Sequence, residues 1–325
     1  MTRILLTTTS YQDTPGEHHA TLAESGFEVV RARGPLPAAK VLELIHAHQG
    51  FDGLLNGDDE ITAEVIDAAL AAPTPLRVIA KYGIGLDSID VAHATAKNIP
   101  VLFTPGVNHT TVAEHAFGLM IGLAKHFKTH LRELEAGNWK RQTGTELAGK
   151  TLGIVGMGRI GKEVIKRGAA FGMPAIAHDL YWDEGFAALH DVQKRDSAEQ
   201  VLTEADVISL HMNLTDDNRG FINAALIEKM KDNALLINTA RGGLVNESDV
   251  AAACRAGKLG GYGTDVLNHE PPPEDHPYRG VDNILVTPHI GSRTVESVGR
   301  QAMRATKNLV NFLNSDDDFI QANKF

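Results

Sequence analysis

Short apolar runs alternate with helical patterns along the whole chain, and this alternation constrains the fold more than any other feature. In the first hundred residues the apolar runs are Ile4–Thr8, Glu28–Arg33, Gly53–Asn56, Arg77–Tyr82 and Val101–Thr104. Helical patterns such as 38–47 and 62–71 lie between them. Strands that alternate with helices in this way predict a parallel sheet covered by helices on both faces.

A second series of strands follows a long helical pattern at Val112–Gly137, and a final helix is predicted through Ala302–Leu313. At about 150 residues per domain, the 325 residues suffice for two domains. We therefore expect an α/β protein with two doubly wound parallel sheets. The second sheet is predicted to contain six strands, which are Thr151–Gly156, Ala175–Asp179, Val207–Met212, Ala234–Ala240, Tyr262–Val266 and Ile284–Pro288.

A glycine-rich turn follows the first strand of this second series. Gly156, Gly158 and Gly161 form a G-x-G-x-x-G pattern directly after the apolar run Leu152–Val155 and ahead of a helical pattern. The first glycine allows a tight turn, the second lets the backbone approach a pyrophosphate, and the third allows a helix to pack closely on a strand. The helix start would present positive backbone amides to phosphate oxygens. These amides belong to Arg159 and Ile160.

An acidic residue stands where a dinucleotide-binding unit needs one. Asp179 ends the second strand of the series, 18 residues after Gly161. A carboxylate there accepts hydrogen bonds from ribose hydroxyls and repels a 2′-phosphate. No basic residue occurs among Leu180, Tyr181 and Trp182, which favours NAD over NADP. A methyltransferase that binds S-adenosylmethionine also carries an acid after its second strand, so this alternative stays open here.

Charge and composition exclude several other classes. The formal net charge is −10, from 31 basic and 41 acidic residues, which argues against a nucleic-acid or anionic-membrane binder. No apolar run approaches the roughly 18 residues of a membrane span. Cys254 is the one cysteine, so no internal disulfide is possible. We expect a cytoplasmic protein, and no metal site is predicted.

Three polar residues follow three successive strands of the second series. Arg241 follows Ala234–Ala240, Glu270 comes shortly after Tyr262–Val266, and His289 follows Ile284–Pro288. The carboxyl ends of parallel strands form the usual ligand-binding edge of such a sheet. A guanidinium can clamp a carboxylate, an imidazole can move a proton near neutral pH, and a neighbouring carboxylate favours the imidazolium. Together they supply what hydride transfer to a 2-oxo acid requires.

The motifs around these residues resemble those of the D-isomer-specific 2-hydroxyacid dehydrogenases, within their phosphoglycerate dehydrogenase-like group. The resemblance covers nearly the whole chain. It rests on the glycine turn together with the segments Lys81–Asp90, Thr104–Gly106, Val112–His115, Gly137–Arg141, Asn238–Val245, Asp265–Val266, Glu270–Pro272 and Thr287–Ser292. It implies that His289 is the acid/base, that Glu270 is its partner, and that Arg241 binds the substrate carboxylate.

The resemblance also implies the domain arrangement. A Rossmann-type NAD-binding domain at 105–292 would be inserted in a flavodoxin-like substrate-binding domain at 1–104 and 293–325. The helix from Val112 would form the two-fold interface of a homodimer, or would be buried within one subunit.

Contacts to both ligands follow by the same implication. The substrate would meet the backbone amides of Gly83, Ile84 and Gly85, together with Arg241 and His289. The adenosine side of NAD would meet His211 and Met212, in addition to the glycine turn and Asp179. The nicotinamide would be lined by Thr239, Ala240, Arg241 and Asp265 and touched by Ile84. His289 and Gly291 would also bind the cofactor.

The substrate is less constrained than the reaction. Phosphoglycerate dehydrogenases usually carry an arginine after the third strand of the substrate domain, but here Asn56-Gly-Asp-Asp-Glu60 occupies that place. Carboxylates near a phosphate are repulsive. Lys81 and Arg141 could compensate for the missing arginine, but they are interpreted here as solvated surface residues. Glycerate/hydroxypyruvate or glyoxylate therefore ranks level with 3-phosphoglycerate. The alternative function is an NAD-binding, corepressor-like assembly protein without physiological turnover.

Overall fold

Two compact units make up the chain. The computed structural model describes every residue from Met1 to Phe325. The first unit comprises Met1–Asn108 and Arg293–Phe325, and the second comprises His109–Ser292. Each unit contains one parallel sheet with helices packed on it. The predicted α/β class, with two parallel-sheet domains, is confirmed.

The first unit contains a five-stranded sheet. Its strands are β1 (Arg3–Leu6), β2 (Glu28–Arg31), β3 (Gly53–Asn56), β4 (Val78–Lys81) and β5 (Val101–Leu102). Its first five helices are α1 (Thr9–Asp13), α2 (Glu17–Glu24), α3 (Ala38–His48), α4 (Ala63–Ala71) and α5 (Val91–Ala96). All strand pairs are parallel, in the order β2-β1-β3-β4-β5. This is the flavodoxin-like order expected from the resemblance.

Two apolar layers cover the two faces of this sheet. Alternate residues of a strand point to opposite faces, so Leu5 joins one layer while Ile4 and Leu6 join the other. The residues of β3 and β4 are all buried, because both faces of these strands are covered. The strands of a parallel sheet are therefore recognisable as continuous apolar runs.

The second unit contains seven parallel strands. They are β6 (Leu152–Val155), β7 (Ala175–His178), β8 (Val192–Lys194), β9 (Val207–Leu210), β10 (Ala234–Asn238), β11 (Leu259–Thr264) and β12 (Ile284–Val286). The order is β12-β11-β10-β9-β6-β7-β8, which is the Rossmann order with one additional strand. The predicted number of six strands is wrong. The missed strand, β8, has three residues, lies at the sheet edge, and exposes two of its side chains.

The helical pattern at 112–137 forms two helices rather than one. They are α6 (His109–Ala124) and α7 (Phe127–Glu135). His126 lies between them with a φ of 53°, in the left-handed region, which ends one helix and redirects the chain. No glycine or proline marks this break in the sequence. The remaining helices of the unit are α8 (Arg159–Ala170), α9 (Glu184–Leu189), α10 (Ala198–Glu204), α11 (Ala224–Lys229) and α12 (Glu247–Ala256).

The last helix, α13 (Val295–Leu313), belongs to the first unit. Thr294 caps its start by accepting a hydrogen bond from the Ser297 amide. The helix begins seven residues before the predicted stretch and packs on β3, β4 and β5. The substrate-binding role of this unit stays a prediction. Across the whole chain, the helices are too short or too polar to pass through a bilayer.

Candidate active site

Each glycine of the turn after β6 has a different steric environment. Gly156 has a φ of +99°, and a Cβ on it would lie 2.7 Å from the backbone of His211. A Cβ on Gly161 would lie 2.2 Å from the carbonyl oxygen of Gly156. A Cβ on Gly158 would meet nothing within 4 Å, and no side chain caps α8 there. The turn therefore leaves open space at a helix N-terminus, which fits a pyrophosphate.

Asp179 is tied to this glycine turn by backbone hydrogen bonds. Its two carboxylate oxygens accept from the amides of Met157, at 2.5 Å, and Tyr181, at 2.7 Å. Each oxygen can accept a further hydrogen bond. Leu180 and Tyr181 are 86% and 89% exposed, so the surface beside the carboxylate is open. The geometry fits a ribose diol held at Asp179.

Two buried polar atoms lie beyond the ends of β9 and β10 without a protein partner. They are Nδ1 of His211 and Oγ1 of Thr239. The other ring nitrogen of His211 lies 2.9 Å from the hydroxyl of Ser209. Burial lowers the pKa of His211 to about 3, so its imidazole is neutral. Buried polar atoms usually have a partner, and a bound dinucleotide is one that fits this edge.

His289 and Glu270 form a direct pair. Nδ1 of His289 lies 2.8 Å from Oε2 of Glu270. The second oxygen of Glu270 accepts a hydrogen bond from the Leu267 amide, at 2.9 Å, which fixes the orientation of the carboxylate. Both side chains are exposed, at 44% and 38%. The arrangement is an imidazole oriented by a carboxylate and open to a ligand.

Asp265 holds the backbone around His289. Its carboxylate accepts the Thr287 hydroxyl at 2.6 Å and the amides of Ile290 and Gly291 at 2.8 and 2.7 Å. Its carbonyl accepts the His289 amide, and His289 has a φ of 53°, which is unusual for a non-glycine residue. Several hydrogen bonds to one carboxylate thus hold the His289 turn in a left-handed conformation.

His115, on α6, completes this cluster. Its Nε2 lies 2.8 Å from the Thr287 hydroxyl and 3.3 Å from the Asp265 carboxylate. Burial alone would raise the pKa of Asp265, but hydrogen bonds from His115, Thr287 and two amides outweigh burial and lower that pKa. Sequence reasoning assigned Asp265 to the nicotinamide and gave His115 no role. The motif Val112–His115 was the one available signal.

Arg241 follows β10 in a turn held by a buried asparagine. Asn238 donates to the Arg241 carbonyl at 2.8 Å and accepts the Ala240 amide at 3.0 Å. The guanidinium donates to the Ala240 carbonyl at 2.6 Å. Arg241, Glu270 and His289 thus follow three neighbouring strands, β10, β11 and β12, at one sheet edge.

The Gly83–Gly85 loop lies in the first unit, after β4. Gly83 has a φ of +131°, and its amide donates to the Thr104 hydroxyl at 3.1 Å. Of the three amides predicted to meet the substrate, this one already has a protein acceptor. Ile84 is 36% exposed. The predicted contacts of this loop with substrate and nicotinamide stay predictions.

Comparison with known proteins places the chain in a well-populated group. A family model described as D-isomer specific 2-hydroxyacid dehydrogenase, NAD binding domain, matches residues 117–291. The chain is 41% identical over 245 residues to hydroxypyruvate reductase from Thermotoga maritima, covering 74% of this chain and 78% of that enzyme. It is 37% identical over 282 residues to D-3-phosphoglycerate dehydrogenase from Methanocaldococcus jannaschii, covering 85% of this chain. The match spans only 53% of that longer enzyme.

Solved structures share the fold over the whole chain. The TT0316 protein from Thermus thermophilus matches with a TM-score of 0.88 and 36% identity, covering 99% of this chain and 100% of that one. A glyoxylate reductase from Paecilomyes thermophila matches with a TM-score of 0.84 and 28% identity, covering 99% and 98%. The sequence and the fold therefore point to the same group of proteins.

Proposed function

Because this chain belongs to the D-isomer specific 2-hydroxyacid dehydrogenases, which are NAD-dependent oxidoreductases, we propose that His289, Glu270 and Arg241 carry out its reaction. The observation that carries the proposal is the 2.8 Å pair between His289 and Glu270 at the sheet edge. The family assignment establishes NAD as the cofactor, and the methyltransferase alternative is wrong. The substrate class is a small 2-hydroxy or 2-oxo acid.

When bound at the glycine turn and Asp179, NADH would supply the hydride that reduces C2 of a 2-oxo acid, and NAD would accept the hydride in the reverse direction. His289, as imidazolium, donates a proton to the carbonyl oxygen during reduction, and neutral His289 takes the hydroxyl proton during oxidation. The Glu270 carboxylate orients the ring and favours the imidazolium. The guanidinium of Arg241 binds the substrate carboxylate and stabilises negative charge on the reacting oxygen.

We further propose that the substrate is not phosphorylated, and the loop after β3 supports this. Asp59 is fully buried and accepts hydrogen bonds from the Thr7 hydroxyl and two amides. Glu60 accepts the Ala38 amide at the start of α3. Two of the three carboxylates therefore hold backbone amides of the first unit, and the third, Asp58, is 72% exposed.

A nearby lysine, Lys81, forms a salt bridge with Asp58. Lys81 is only 2% exposed, so the interpretation of Lys81 as a solvated residue is wrong. Its ammonium donates to the Gly57 carbonyl and lies 2.7 Å from Asp58. Since a phosphate dianion would need an uncommitted cation here, hydroxypyruvate or glyoxylate fits better than a phosphorylated acid. The names of two similar enzymes, hydroxypyruvate reductase and glyoxylate reductase, support this choice.

A substrate panel tests the proposal. NADH oxidation is measured with glyoxylate, hydroxypyruvate and 3-phosphohydroxypyruvate, and NAD reduction with the matching hydroxy acids. We expect the highest kcat/KM with an unphosphorylated acid. A preference for the phosphorylated acid would refute the substrate assignment alone. No turnover with any acid, together with tight NADH binding, would refute the enzyme proposal and favour the assembly-protein alternative.

His289→Ala tests the catalytic assignment. Loss of the general acid should lower kcat by at least about 100-fold. The dissociation constant of NADH, measured by fluorescence titration, should change by less than about 3-fold, since the glycine turn proposed to bind the pyrophosphate follows β6 whereas His289 follows β12. Near-normal turnover in this variant would discard the role given to His289.

A further inference from the structure

Glu270 lies in a long loop that has few buried contacts of its own. Between Asn268 and Gly280 only His276 and Tyr278 are buried, while Glu270 itself is exposed. An exposed loop of this length is free to move unless its buried residues hold it. The position of Glu270 against His289 therefore depends on how His276 and Tyr278 are held.

His276 pairs with Glu247, a largely buried glutamate on a different element. Its Nε2 lies 3.2 Å from Oε2 of Glu247, in the first turn of α12. The two side chains are only 6% and 12% exposed. The ring of Tyr278 packs edge-on against His276, with centroids 4.8 Å apart, and the ring of Tyr262 packs against Tyr278. A shielded hydrogen bond thus joins the far end of the loop to α12.

Glu247 also holds the near end of the same loop. Its Oε1 accepts the amide of Asn268 at 2.9 Å. The preceding amide, of Leu267, donates to Glu270 at 2.9 Å. Two consecutive amides therefore donate to two different glutamates. One is Glu270, which pairs with His289, and the other is Glu247, which pairs with His276. Any shift of the Asn268 amide away from Glu247 displaces the neighbouring amide that holds Glu270.

The loop is also packed against the segment that carries Arg241. A Cβ on Gly242 would lie 2.1 Å from the carbonyl carbon of Leu267, so the two backbones touch where a side chain cannot fit. Five residues after this contact, Glu247 begins α12. Glu247 is thus placed to fix the position of the Glu270 loop relative to the turn that carries Arg241.

We propose that Glu247 and His276 are positioning residues, whose hydrogen bond fixes the loop so that Glu270 stays on His289 throughout turnover. The proposal rests on the acid/base role of His289 given above. Neither residue touches the reacting atoms, and both act through Glu270. Displacement of a catalytic group by about 1 Å is enough to cost up to 100-fold in rate.

The test compares full-length variants with hydroxypyruvate and NADH over a range of pH. Glu247→Ala should lower kcat by about 10-fold or more, with KM and the NADH dissociation constant within about 3-fold of wild type. The alkaline limb of the kcat profile for reduction should move to lower pH, since a displaced Glu270 carboxylate no longer favours the protonated form of the ring. A role in folding alone would change thermal stability without moving this profile.

Matched variants make the result specific. Glu247→Gln keeps an oxygen for the Asn268 amide and should retain kcat within about 3-fold. Glu274→Ala removes an exposed carboxylate from the same loop and should behave as wild type. In a Glu270→Gln background, Glu247→Ala should cause little further loss, because both changes act through one carboxylate. If Glu247→Ala fails to fold, His276→Ala breaks the pair from the loop side and is read in the same way.

Different results would overturn the positioning role of Glu247 and the proposed function. An unmoved pH profile in Glu247→Ala, alongside a moved profile in Glu270→Gln, would overturn the positioning role and leave the proposed function intact. Full activity in both Glu270→Gln and His289→Ala would instead overturn the proposed function. Additive losses in the Glu247→Ala, Glu270→Gln double variant would also contradict the inference.

Discussion

At the scale of single residues, two glycines after β6 are expected to affect different quantities. Gly161 should matter for the stability of the fold, and Gly158 for the affinity for NADH. Gly161→Ala places a methyl group 2.2 Å from a carbonyl oxygen and should destabilise the fold by about 1–3 kcal/mol. Gly158→Ala meets no protein atom within 4 Å, so the free energy of unfolding should stay within about 0.5 kcal/mol of wild type. Its methyl group would occupy the approach of the pyrophosphate.

The expected result for Gly158→Ala is therefore a rise of about 10-fold or more in the NADH dissociation constant, without unfolding. Fluorescence titration with NADH and denaturant unfolding of the unliganded protein measure the two quantities. Unchanged NADH affinity in this variant would mean that the cofactor does not cross the turn at Gly158.

His211 links folding to pH. Burial lowers its pKa to about 3, whereas an unfolded histidine has a pKa of about 6.5. Between these values the unfolded chain binds a proton that the folded chain does not, so stability falls as the pH drops from about 6.5 toward 3.

His211→Gln removes this titration. The loss of unfolding free energy between pH 7.5 and pH 5 should be about 1–2 kcal/mol smaller than in wild type. Denaturant unfolding at both pH values measures the difference, and His46→Gln, at an exposed histidine, is the control. An equal loss of stability in wild type and His211→Gln would contradict the prediction.

At the scale of elements, the division of α6 from α7 changes where a dimer interface would lie. The interior of α6 is buried in its own unit. On α7, by contrast, Phe127, Leu131 and Leu134 are 51%, 60% and 52% exposed, and their spacing places them on one face. Contiguous exposed apolar residues of this kind are typical of protein interfaces.

We propose that the chain forms a homodimer through α7, and Leu131→Arg tests it. A charged side chain in the centre of the apolar face should convert the dimer to a monomer at micromolar concentration, since an unpaired buried charge costs several kcal/mol. Light scattering after size-exclusion chromatography measures the mass. Leu189→Arg, at an exposed leucine on α9, is the matched control. A wild-type mass for Leu131→Arg would exclude this face.

Sequence patterns locate strands well where the strand is buried on both faces, because its residues are then nearly all apolar. The interior strands β3, β4, β6 and β10 are wholly buried, so they read as continuous apolar runs and were located from the sequence. The edge strand β8 has no such pattern, because two of its three residues face solvent. The break at His126 depends on packing around a left-handed residue, which no local signal announces.

The candidate site divides in the same way. Arg241, Glu270 and His289 follow apolar runs directly or closely, so their shared sheet edge follows from parallel topology. His115 and Asp265 are 150 residues apart in the chain. Glu247 and His276 lie on a helix and a loop. Such pairs arise from tertiary contacts, which residue spacing does not contain.

At the scale of the whole molecule, one unit is continuous and the other is not. The unit His109–Ser292 contains its complete sheet and the whole glycine turn. Met1–Asn108 lacks α13, whose buried residues include Ala302, Ala305 and Leu309 in the apolar layer on the five-stranded sheet.

The two units should therefore differ when expressed alone. A fragment of residues 109–292 should fold and bind NADH, since its core is contained in one segment. A fragment of residues 1–108 should be largely unfolded or aggregate, because the part of its sheet that α13 covers would be exposed. Circular dichroism and NADH fluorescence measure these outcomes. Cooperative unfolding of the 1–108 fragment by itself would contradict the prediction.

The return of α13 to the first sheet has a consequence during synthesis. At about 5–20 residues per second, a ribosome needs about 10–40 s to proceed from Asn108 to Leu313. Throughout that interval the nascent five-stranded sheet lacks the helix that covers Leu55, Val78 and Leu102. The earliest part of the polypeptide is thus the last to be completed, and it is the part that chaperones would have to protect.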